Sequence, residues 1–98
     1  MPRKPAKQRS PVRGATPAGD YEIGDQVFFS FAGTAGEAMF LGQLREHPST
    51  LVLALSAEQV VEMPASACSP TGPIEPQLGH TYRREYIKRF PKKLLGSP

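Results

Sequence analysis

The clearest apolar periodicity begins at Gln26, where Val27, Phe29 and Phe31 share one face and Gln26, Phe28 and Ser30 the other. Period-2 alternation over six residues predicts a half-buried strand, with Gly24-Asp25 as the turn into it and order beginning near Tyr21. Ala32–Gly36 holds two glycines and only small residues, which predicts a hairpin loop. Glu37–Glu46 reads as a longer strand interrupted at Gly42, a place for a bulge or bend. After a turn at His47-Pro48-Ser49, Leu51–Leu55 is almost wholly apolar, as a buried central strand should be. Ser56-Ala57-Glu58 is a tight connection into a fourth strand at Gln59–Met63.

The pattern then breaks. Pro64, Pro70, Pro73 and Pro76 lie within residues 64–80, which predicts a long irregular loop pinned to the core by Ile74 or Leu78. The segment Thr81–Phe90 allows two readings. As a helix it would start at an N-cap Thr81 and put Tyr82, Tyr86 and Phe90 on one face, with a Glu85–Arg89 pair. As a tight turn followed by the strand Tyr86–Phe90 it would close a barrel, and this second reading is preferred. Five short strands with a bend in the second predict an all-β domain, a small five-stranded barrel whose last strand follows the Pro-rich loop.

Composition changes this picture at the ends. The 98 residues contain one domain at most, and a folded part this small buries only about 60% of its unfolded surface. Residues 1–19 carry Arg3, Lys4, Lys7, Arg9 and Arg13, no acid and almost no large apolar group. They are expected to form a disordered basic tail, with the barrel at residues 20–91 and a flexible basic end at 92–98. By sign, residues 1–19 hold a net +5; residues 20–82 hold one base against eight acids, a net −7; residues 83–98 hold six bases against one acid, again +5. The middle is acidic and both ends are basic, so contact with a polyanion is expected at the ends.

No run of about 18 apolar residues is present, which argues against a membrane span. The basic start has no apolar segment behind it, so no secretory signal is expected, and its prolines would break a transit-peptide helix. Cys68 is alone and forms no internal disulfide. The expected location is intracellular: cytoplasmic, or nuclear in a eukaryote.

Taken in order, "YEIGDQVFF", "AMFLGQL", "LVLAL" and "QVVEMPASACSP" resemble the plan of SH3-like barrels, including Tudor and KOW modules, and "REYIKRF" resembles their closing element. The resemblance covers residues 21–90 and implies a fold more than a function. Peptide-binding SH3 grooves rely on a tryptophan, and this chain has none, which argues against PxxP ligands. Type II dihydrofolate reductases share the fold, but Val60-Val61-Glu62-Met63 stands where their active-site strand carries Val-Gln-Ile-Tyr.

No residue pattern suits catalysis. His47 and His80 lie beside turn residues without a nucleophile or acid at a motif spacing, and Cys68 lacks a hydrolase signature. Metal-ligand spacings are absent, and Gly33–Gly36 is followed by no Lys-Ser/Thr of a phosphate loop, so no enzyme activity, metal or cofactor is expected. The ends carry the strongest signal. Arg3, Lys4, Lys7, Arg9 and Arg13 suit phosphate contacts, and "SPVR" resembles a chromatin-tail or proline-directed kinase motif. Arg83, Arg84, Lys88, Arg89, Lys92 and Lys93 are interleaved with Tyr82, Tyr86 and Phe90, as on many nucleic-acid surfaces. The expectation is a non-enzymatic adaptor contacting DNA or RNA through these ends within a larger assembly. Its rivals are a structural subunit docking on a larger complex, and an acidic barrel binding a basic or modified peptide. For the latter, the Tudor-type resemblance offers Tyr21, Phe28, Phe40 and Tyr82 as a candidate aromatic cage.

Overall fold

The computed structural model describes residues 18–96, beginning with a single 3-10 turn at Ala18–Asp20. Five strands follow: β1 (Gln26–Phe31), β2 (Thr34–Gln43), β3 (Thr50–Ala54), β4 (Val60–Pro64) and β5 (Cys68–Pro70). One helix, α1 (Pro76–Arg89), is the last regular element among the described residues, and Leu94 beyond it bridges to Leu44. The fold is mostly β, an antiparallel sheet in the order β4-β3-β2-β1-β5, with one helix laid on it. The sheet stays open, with β4 and β5 as its edges. Of the basic N-terminal segment, Arg3 to Arg13 lie outside the described residues.

Local chemistry explains most of these elements. β1 and β2 are joined through Ala32-Gly33, both at positive φ (53° and 83°), the backbone of a two-residue hairpin turn; Thr34–Gly36 therefore belongs to the strand, not to a loop. Between Phe40↔Leu53 and Gly42↔Val52 the register slips by one, so Leu41 is the extra residue of a bulge that bends β2 beside Gly42. The connection into β4 turns on Ser56, whose Oγ accepts the N–H groups of Glu58 (3.3 Å) and Gln59 (3.1 Å).

Two sequence expectations are corrected. Residues 64–80 are not an irregular loop: they hold a 3-10 turn (Ala65–Ala67), strand β5 and the start of α1. The prolines occur where a missing N–H is tolerated. Pro64 ends β4, Pro70 ends β5 and Pro76 opens the helix. Residues 71–75 are tied to the sheet by backbone bonds, Thr71 N–H to Gln26 O and Glu75 N–H to Gly24 O, both 2.9 Å. Ile74 is half-buried and Leu78 is 39% exposed, and neither belongs to the two core clusters. The second correction concerns Tyr86–Phe90, which is not a closing strand. Gly79, Tyr82, Tyr86 and Ile87 fall at helical spacing and face the sheet, so the segment is helical and β5 takes the place beside β1. The helix begins five residues before Thr81, whose hydroxyl instead donates to the Gln77 carbonyl (3.0 Å).

The sheet is apolar on both sides. One face carries Val27, Phe29, Phe40, Leu51, Leu53 and Cys68, closed over by Tyr21 and Ala65. The other carries Leu41, Val52 and Ala54 beneath Tyr86 and Leu94. Alternation within β3, buried from Leu51 to Ala54, splits these four residues between the two cores.

Candidate nucleic-acid interface

Helix α1 divides its charges by burial. Arg83 is half-buried, and its Nη1 donates to the Leu41 carbonyl at 2.7 Å, meeting an acceptor turned aside by the bulge. Gly42 makes the room: a Cβ there would stand 2.6 Å from that nitrogen. Burial lowers the Arg83 pKa from its ordinary value, yet a guanidinium stays charged near neutrality. Arg83 therefore fastens the helix to the sheet, although it was expected among the phosphate-binding groups. The role was hidden in the sequence, because only the bulge links position 83 to Gly42.

Arg84 and Lys88 stand one turn apart on the exposed side of α1, in line with exposed His80. Arg84 Nη2 reaches Thr81 Oγ1 at 3.4 Å, and Lys88 Nζ lies 3.6 Å from Glu85, with both side chains more than half exposed. Such a pair contributes little and yields readily to a phosphate. At the end of the helix Arg89, and in the turn beyond it Lys93, hold their charges 5.8 and 5.5 Å from the centre of the Phe90 ring. Arg89 Nη1 also reaches the Glu58 carbonyl (3.5 Å), and Lys93 Nζ lies 3.6 Å from Glu62. Lys92 is exposed at the tip of the turn. From residue 76 to 96 six bases face one acid, a net +5; from 26 to 70 one base faces four acids, a net −3. The positive charge is concentrated on the helix and the turn after it.

The four rings offered as a cage are dispersed. Tyr21 and Phe40 are buried and stacked on each other, centroids 5.3 Å apart. Phe28 stands on the outer face of β1, 39% exposed, and Tyr82 on α1 is half-buried against the core beneath the helix. A cleft of about 470 Å³ opens between Tyr21, Gln43, His80, Arg83 and Leu95.

His47 is exposed, with Nδ1 2.8 Å from Thr50 Oγ1, and lies on a turn remote in sequence from His80 on the helix. Cys68 is buried on β5 rather than placed in a loop; its Sγ lies 3.4 Å from the Pro64 carbonyl, and burial pushes the thiol up to about 11. Among the described residues no three His, Cys, Asp or Glu side chains gather as a metal site, and no helix is long and apolar enough to cross a membrane. Compared with family models, curated proteins and solved structures, the chain shows no significant match to any.

Proposed function

We propose that this protein is a non-enzymatic, intracellular binding module that contacts the phosphates of DNA or RNA within a larger assembly. The contacts come from the outer face of α1, the turn that follows, and the basic N-terminal residues. The observation that carries this reading is the exposed row Arg84–Lys88, continued by Lys92 and Lys93 and set on an otherwise acidic sheet. Cations held on a rigid helix lose less freedom on binding than cations on a loose chain. The sheet itself is proposed to be SH3-like. A four-strand meander bent within β2, with β5 brought back to β1, supports that reading.

The test is fluorescence anisotropy of a labelled oligonucleotide against the intact chain and a variant with Arg84, Lys88 and Lys92 replaced by Gln. Weaker binding by the variant, with an unchanged thermal midpoint, is expected. Equal binding by the two proteins overturns the assignment of this face. Arg83 is left intact because its loss would disturb the fold. The rival, a basic peptide on the acidic sheet, is favoured only if such a peptide binds and nucleic acid does not.

A further inference from the structure

Residues 90–93 form a turn of unusual composition. The Lys93 N–H donates to the Phe90 carbonyl (3.3 Å), proline stands second, and Lys92 stands third at φ 68°. A turn of that shape normally places glycine or asparagine at its third position, because a side chain is strained in the left-handed region. The turn is nonetheless firmly held. Phe90 N–H caps the helix at the Tyr86 carbonyl (2.8 Å), Arg45 N–H reaches the Lys93 carbonyl (2.8 Å), and Leu94 is fully buried just beyond. On this rigid turn Phe90 leaves 45% of its surface exposed, its ring 5.0 Å from Tyr86 and flanked by Arg89 and Lys93. An exposed aromatic ring would be better buried for stability alone, and a strained lysine would be better replaced by glycine. Both departures put a flat apolar surface and several cations at one tip.

We propose that this turn is a stacking site for single-stranded nucleic acid. A base lies against Phe90, while Lys92, Lys93 and Arg89 hold the phosphates on either side. The inference rests on the nucleic-acid reading above and narrows it. Duplex DNA keeps its bases stacked inside and can offer the turn only phosphates, whereas a single strand offers an unpaired base as well. Stacking on one aromatic side chain contributes about 1–3 kcal/mol, or roughly 5- to 150-fold in affinity.

The probes are a labelled thymidine oligomer of about 15 nucleotides and a labelled duplex of about the same length, matched to common single-strand site sizes. Phe90→Leu keeps an apolar contact with Tyr86 and removes the π-face. It is expected to weaken single-strand binding at least about fivefold, leaving duplex affinity, thermal midpoint and salt slope unchanged. Lys92→Gly relieves the backbone, so its thermal midpoint should hold or rise while the single-strand salt slope falls by about 0.7. Single-strand binding that Phe90→Leu leaves intact overturns the stacking site while the broader reading stands. So does an equal loss on both probes. An unchanged slope in Lys92→Gly removes that lysine from the site. No binding to either probe at low salt overturns the broader reading, and this inference with it.

Discussion

Leu53 lies at the centre of β3 with no exposed surface, between Phe40 of β2 and Val61 of β4. Its truncation leaves a cavity that the flanking strands cannot close without breaking register. Leu53→Ala should therefore cost about 2–4 kcal/mol, read from the denaturation midpoint, and in a domain this small could unfold it. An unchanged midpoint would contradict the core described above. Cys68 makes a separate prediction, in pH. Its folded pKa is raised to about 11 from an ordinary value of 9.0 by burial, so the folded state holds the proton where the unfolded chain loses it. The native state is then penalised as pH rises from about 9 to about 11, by at most about 3 kcal/mol. Burial raises the Tyr86 phenol too, with Glu62 adding and Arg89 opposing, so the two groups act in the same direction. Denaturation midpoints measured across that range should fall, and fall less in Cys68→Ala. In the native protein near neutral pH the thiol should resist alkylation until the chain is unfolded.

At the scale of elements, the strands were readable because one or both faces are buried and the period is two. Val27, Phe29, Leu51 and Leu53 declared themselves; the third strand ends one residue early at Ala54, with Leu55 exposed, while the second lies three residues earlier than expected, at Thr34–Gln43. The helix was misread because its aromatic and basic residues suit either period locally. What decides the matter is tertiary: the place beside β1 is occupied by Cys68–Pro70, and the outer face of β3 needs a cover. Counting prolines concealed this, since Pro64, Pro70 and Pro76 mark boundaries of elements rather than their absence. The candidate site was half legible for the same reason. Sequence showed the basic and aromatic residues together, but not that Arg83 turns inward while Arg84 and Lys88 stay out. The docking of α1 has a test of its own. Gly79 faces Gly24, and a Cβ at position 79 would stand 2.5 Å from the Gly24 backbone. On an exposed helix Gly→Ala stabilises by about 1 kcal/mol, so the sign here should reverse. Gly79→Ala is expected to lower the thermal midpoint and increase amide exchange along α1; a raised midpoint would mean that the helix does not pack as described.

Over the whole molecule, charge and fold are arranged against each other. The strands of the sheet and the loops between them carry Glu37, Glu46, Glu58 and Glu62 with only Arg45, and the helix laid across the sheet carries the opposite sign. Part of that positive charge is spent within the fold, since Lys93 lies against Glu62 and Arg83 on the Leu41 carbonyl. The cations that reach a polyanion without giving up a contact to the sheet or its loops are then Arg84, Lys88 and Lys92, together with Arg3, Lys4, Lys7, Arg9 and Arg13 of the N-terminal segment. If about five phosphates of a duplex are neutralised, log affinity against log salt should fall with a slope of about −4 to −5. Removing residues 1–17 takes five of these eight bases, so the slope should become clearly shallower, yet not vanish while the helix remains. Glu62→Gln should act in the other direction. It releases Lys93 and removes a charge that repels phosphate, so affinity at low salt should rise roughly two- to fivefold and the slope should steepen. A neutralised acid that leaves binding unchanged, beside a truncation that leaves the slope unchanged, would mean that neither the layout of charge nor the N-terminal bases govern binding. The acidic sheet would then be the surface to test, with a basic peptide as the ligand.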